Sequence, residues 1–198
     1  MKAEETVVMF IEFQNDFCKE GGKLHDLVRE EMARNHTIEN ALRLLKGARD
    51  KGAYILHVPF ELDTGRFEEN PQDGLLAKLY EMKAFIPNTW GGAIIDEMKP
   101  GYNEPILVGK RGLSAASALH FRTLLIDAGI QNIALAGFLT NVCVQATAFS
   151  AYDFGYEVRI IPEACCAASQ SIQEYVEREV CPIFGGAPTV DEFLAELK

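Results

Sequence analysis

Apolar residues gather in five short runs along this chain: Val7–Phe13, Tyr54–Val58, Ile106–Val108, Ile133–Ala136 and Glu157–Ile161. Each has the length and bounding turn signals of a buried strand. Other stretches space their apolar residues as helices do: Thr37–Lys51, Ser114–Ala128, Asn141–Asp153, Ile172–Glu179 and Val190–Leu197. Lys51-Gly52, Ala128-Gly129 and Phe154-Gly155 act as helix stops just before strands. Strand and helix therefore alternate. That alternation predicts a parallel sheet covered on both faces, a three-layer α/β/α fold with a Rossmann-like, doubly wound, mainly parallel sheet. No linker, repeat or low-complexity tract interrupts it, so residues 1–198 read as one domain. Ligands of such sheets bind at the carboxyl ends of strands.

One region breaks the rhythm. From Glu61 to Gly101 the chain carries Pro71, Pro87 and Pro100, with Phe67, Tyr80, Phe85 and Trp90 among them. Long structured connections of this kind often serve as lids or binding loops. The alternative is a surface excursion with one or two short helices.

Composition narrows the function classes. The 198 residues are 48% hydrophobic, enough for a full core, and carry a formal net charge of −10. This charge offers no electrostatic footprint for nucleic acid or an anionic membrane surface. No signal-peptide pattern and no apolar run long enough to span a bilayer occurs, which predicts a cytoplasmic protein. The five cysteines are odd in number and lack a Cys-x-x-Cys pair, so they read as reduced thiols. Adjacent Cys165 and Cys166 read as small residues in a tight loop-to-helix segment.

Three residues with complementary chemistry fall at strand ends. Glu12 ends the first predicted strand, Lys110 follows the third and Cys143 follows the fourth. Cys143 is expected in the first turn of a helix, with Thr140 and Asn141 as caps. Unpaired N–H groups and partial positive charge at such a terminus favour a thiolate. A carboxylate can take the thiol proton, an ammonium can favour the thiolate, and the thiolate can attack a carbonyl. Backbone N–H groups of Leu139 and Cys143 are the candidate oxyanion donors. Asp16 is a rival carboxylate, but it lies beyond the strand end and reads as a turn or helix-start residue.

The segments around these residues resemble a known family. Val8-Met9-Phe10-Ile11-Glu12-Phe13-Gln14-Asn15-Asp16-Phe17, Gly109-Lys110-Arg111-Gly112 and Gly137-Phe138-Leu139-Thr140-Asn141-Val142-Cys143-Val144 are similar, in order and spacing, to the isochorismatase-like cysteine hydrolase superfamily. The resemblance implies an Asp-Lys-Cys triad, a thioester mechanism and a cis peptide at Phe138–Leu139. It also implies a homo-oligomer, dimer or tetramer. The chain departs from the pattern at the acid, where Glu12 stands for aspartate and reaches roughly 1.5 Å further. A misplacement of about 1 Å can cost about 100-fold in rate.

The same residues bear on substrate and cofactor. Gln14, Phe17, Phe85 and Trp90 are the expected substrate-pocket walls, suiting a small, partly apolar amide. Nicotinamidases of the superfamily carry an Asp-x-His that is missing after His57, so no metal is expected. The absence of Gly-x-Gly-x-x-Gly and P-loop patterns predicts no nucleotide cofactor. The expected activity is metal-independent hydrolysis of a small amide-like C–N bond. The alternatives are an isochorismatase acting on an enol ether, or a non-catalytic binding member of the same fold.

Overall fold

The computed structural model describes residues 1–198. Four strands form the sheet: β1 (Thr6–Ile11), β2 (Tyr54–Val58), β3 (Asn132–Phe138) and β4 (Glu157–Cys166). They are all parallel, in the order β2-β1-β3-β4. β1 thus has β2 on one side and β3 on the other, and the winding reverses between β1 and β3. The crevice at that reversal is where doubly wound sheets hold their ligands.

Nine α-helices accompany the sheet: α1 (Asn15–Cys18), α2 (His25–Arg34), α3 (Thr37–Asp50), α4 (Thr64–Glu69), α5 (Leu75–Met82), α6 (Phe121–Asp127), α7 (Gln145–Asp153), α8 (Gln170–Tyr175) and α9 (Val190–Glu196). Alternate β1 residues feed two cores. Val8 and Phe10 pack with α3 and α9 through Leu44, Leu45 and Phe193, while Val7, Met9 and Ile11 pack with α6 and α7 through Phe121, Leu125 and Ala148. This is the period-2 signature of a strand buried on both faces. No helix is long and apolar enough to cross a membrane.

The fold departs from the sequence pattern at definable places. Ile106–Val108 is not a strand; only Ile106 bridges to His57, in parallel, at the open edge of β2. Pro105 has no N–H to give, and Gly109 turns into the left-handed region at φ 80°, so pairing ends after one rung. The pattern over 114–128 breaks into a 3₁₀ turn at Ala115–Ser117 and then α6. β4 runs on through Pro162 to Cys166, which an edge strand tolerates. Cys165 and Cys166 therefore close a strand, opposite Gly137 and Phe138, and are not in a loop. The 61–101 excursion holds α4 and α5. It folds back so that Asn15 N–H donates to Ala93 O and Ile95 N–H to Phe13 O.

Candidate active site

β1 and β3 deliver two of the three predicted groups to the reversal point. Gly137 makes the approach possible: its φ is 135°, and a Cβ there would lie 2.0 Å from the Ile11 carbonyl oxygen. Beyond it the Phe138–Leu139 peptide is cis, and Thr140–Val144 form a π-type turn that leads into α7 and carries Cys143. Glu12 leaves β1 with φ 58°, a left-handed conformation unusual for a non-glycine residue. Its N–H is held by Val58 O at 2.9 Å.

Lys110 arrives from the edge segment beside β2. The Glu61 carboxylate accepts the Gly109 N–H at 2.6 Å, and Glu61 N–H donates to Lys110 O at 2.9 Å. This double tie turns the lysine inward. Lys110 Nζ donates to Glu12 Oε1 at 2.5 Å and to Gly112 O at 2.9 Å, and it lies 4.9 Å from the Phe60 ring centroid. The ion pair is closed to solvent, with side chains 0% and 3% exposed. Glu12 and the buried Cys143 line one cavity, and Lys110 is bonded to Glu12.

Burial opposes the help that the helix start and the ammonium give a thiolate. Burial pushes the Cys143 thiol well above its usual range, and the Glu12 carboxylate adds to this; Lys110 opposes them without prevailing. Burial disfavours the Lys110 ammonium, but Glu12 and Cys143 outweigh it and the group stays charged. At rest the site holds a neutral thiol beside a carboxylate–ammonium pair. The expected caps do not form. Thr140 Oγ1 donates to Gln173 Oε1 at 2.7 Å, while Asn141 Oδ1 is buried without a partner. Leu139 N–H donates to no group of the chain.

The predicted pocket walls divide. Phe17 and Phe85 line the cavity at Cys143, their ring centroids 5.1 Å apart. Gln14 and Trp90 do not. Gln14 clamps the fold: Nε2 donates to Phe60 O and Gly92 O, and Oε1 accepts the Phe60 N–H. Trp90 is 56% exposed, and it is its backbone carbonyl that accepts from Asn15 Nδ2. Asp16 accepts N–H bonds from Lys23 and Phe85 and does not bond Lys110. His57 is buried against Glu104 at 3.1 Å, away from the thiol.

Sequence reasoning missed the wall residues contributed by α2 and α5, and it missed two supports. Thr147 Oγ1 donates to Cys143 O at 2.7 Å and accepts the Ala115 N–H at 2.9 Å. Glu61 is the other. A hydroxyl residue one helical turn beyond the cysteine was the available signal for Thr147.

Comparison with known proteins follows from this geometry. The family model described as the isochorismatase domain matches residues 6–191. The chain belongs to the isochorismatase family. This isochorismatase-family hydrolase is 28% identical to the ureidoacrylate amidohydrolase RutB of Rhizobium rhizogenes, over 98% of its own length and 84% of that protein. Among solved structures it shares its fold with a cysteine hydrolase from Pseudomonas syringae pv. phaseolicola, at a TM-score of 0.83 and 20% identity, covering 98% of this chain and 93% of the other. An isochorismatase-like hydrolase from Alkaliphilus metalliredigens gives a TM-score of 0.75 at 23% identity, covering 97% and 98%.

Proposed function

We propose that this hydrolase cleaves a small amide-like C–N bond through a thioester on Cys143, with Glu12 and Lys110 completing the triad. The observation that carries the reading is the solvent-free Lys110–Glu12 pair at the sheet's reversal point, with Glu12 sharing a cavity with the buried Cys143 thiol. The similarity to proteins named ureidoacrylate amidohydrolase supports the C–N bond as the target.

The raised thiol pKa sets the order of events. Glu12 takes the Sγ proton as Sγ attacks the carbonyl carbon, so a free thiolate need not accumulate. The carbonyl π electrons move to oxygen, where the Leu139 and Cys143 N–H groups are the donors. Glu12 passes its proton to the departing nitrogen, the C–N bond breaks, and an amine leaves. Glu12 then takes a proton from water as the oxygen attacks the thioester carbon; the C–S bond breaks and Glu12 returns that proton to Sγ, leaving a carboxylic acid, the thiol and the free carboxylate of Glu12. Lys110 holds the Glu12 carboxylate in place between steps through its Nζ hydrogen bond.

A panel of amides, carbamoyl compounds and lactams, with isochorismate for the enol-ether alternative, tests this directly. Mass spectrometry of the quenched protein should find an acyl increment on the Cys143 peptide. Cys143→Ala should lower kcat by about 1,000-fold or more. Full turnover by that variant on any panel substrate would rule the thioester out. In the free protein, alkylation of Cys143 should keep rising above pH 9, since burial and Glu12 hold the thiol protonated there. A plateau near neutral pH would contradict the resting state described.

The assembly and compartment follow the same reading. Phe149 and Tyr152 stack edge-on against Phe184 and stay partly exposed, a patch suited to a dimer or tetramer contact. All five cysteines are free and buried, which fits the cytoplasm. A monomer by light scattering at micromolar concentration would remove the oligomer.

A further inference from the structure

The cavity at Cys143 is lined by hydrocarbon. Twelve residues line it and eleven are hydrophobic; Glu12 is the exception, and Phe17, Phe60, Leu75, Leu79, Phe85 and Leu113 make most of the wall. The free space is about 30 Å³, room for roughly one or two waters. Polar contacts inside it are confined to the reacting groups. Lys110 is the nearest cation, and its Nζ is already bonded to Glu12 and Gly112 O. Its charge is matched one to one by Glu12, so the pair has none left for a substrate anion. Arg66 and Arg111 line a separate cavity of about 220 Å³, where Arg111 pairs with Asp63 at 3.3 Å.

From this lining we infer that the substrate presents an uncharged, short hydrocarbon acyl group to Cys143, and that amides bearing a carboxylate on that group are rejected. A substrate carboxylate here would lose its hydration, find no donor beyond the Leu139 and Cys143 N–H groups that the reacting carbonyl occupies, and face the Glu12 anion. The wall hydrocarbons instead gain from covering methyl and methylene groups. The inference rests on Cys143 as the acyl acceptor. The chemistry is unchanged: amide plus thiol gives thioester plus ammonia, and thioester plus water gives acid plus thiol.

A matched substrate pair tests it on the unmodified protein. Butyramide and succinamate differ by a terminal methyl against a carboxylate. Butyramide should have a kcat/KM about 100-fold higher or more. Equal values, or preference for succinamate, overturn the inference. Alkylation of Cys143 gives a readout independent of hydrolysis. The iodoacetamide-to-iodoacetate rate ratio, divided by the same ratio for free cysteine, should be about tenfold or more. A value near one overturns the inference even if amides are hydrolysed. A skewed ratio with no amide turned over retains the pocket's selectivity and removes the hydrolase reading instead. Leu79→Lys places a cation in the wall and should narrow the alkylation ratio by about tenfold. An unchanged ratio in the folded variant also overturns it, and the wild-type measurements stand if the variant fails to fold.

Discussion

The end of β1 and the short helix α1 behind it each bury an acid, and the two acids are treated differently. Glu12 and Asp16 are both 3% exposed. Asp16 is held by backbone N–H groups of Lys23 at 3.1 Å and Phe85 at 2.6 Å, fixed partners that join α1 to the excursion. Glu12 is held by a charge, Lys110 at 2.5 Å, in a corner whose other walls are hydrocarbon. Backbone donors can tie an acid down at modest cost. A buried ion pair is a weak way to stabilise a fold, because both charges lose their hydration. The placement of Glu12 thus makes sense through the neighbouring thiol, and that of Asp16 through the loops it joins.

The largest effect should come from breaking the charge pair. Lys110→Met strands Glu12 in hydrocarbon and should cost about 3–5 kcal/mol in urea unfolding, with hydrolysis lost. Adding Glu12→Gln should recover much of that stability and none of the activity. A double variant no more stable than the single would mean that the pair is there for the fold.

Shortening the acid probes the same corner more gently. Glu12→Asp withdraws the carboxylate by roughly 1.5 Å from a 2.5 Å contact. The geometry is built around the longer side chain, so kcat/KM should fall by about 100-fold. A gain in activity would instead mark the native chain as a weakened catalyst.

On the structural side the loss is smaller and of another kind. Asp16→Asn turns an NH₂ toward one of two N–H donors, for about 1–3 kcal/mol of stability. Alkylation of Cys143 should stay within roughly twofold, because the variant touches no triad member. A collapse of labelling would show that Asp16 belongs to the active corner.

The same contrast explains what could be read from the sequence. The meeting of Glu12 and Cys143 was legible because both lie at or beyond the ends of strand-like runs, which the doubly wound pattern sends to one crevice; Lys110 joins them through the Ile106 bridge and the Glu61 tie, not through a strand. The Ile106 run misled because a single bridge with Pro105 on one side looks, in sequence, like a strand. α2 left little trace, since it buries only Val28 and Glu31 and most of its residues are polar or charged. The leucines of the pocket wall were hidden for a similar reason, lying on short elements whose packing partners are distant. Gln14 looked like a ligand because a polar residue at a strand end has no obvious local partner. Its partners are 46 and 78 residues away. The burial of Cys143 was not legible, because a helix-start pattern says nothing of how deep the first turn lies, and here burial pushes the thiol up.

Trp90 gives the smallest and most discriminating test. Residue 15 stands between the two acids, and its side-chain amide donates to the Trp90 carbonyl at 2.7 Å. The indole itself is more than half exposed and absent from the pocket. Trp90→Ala keeps the carbonyl and removes the ring, so stability should change by no more than about 0.5 kcal/mol and kcat/KM should hold. A large loss of kcat/KM at unchanged stability would mean that the ring reaches the substrate. The excursion would then close over the site during turnover, and the hydrocarbon pocket would be only part of the binding surface.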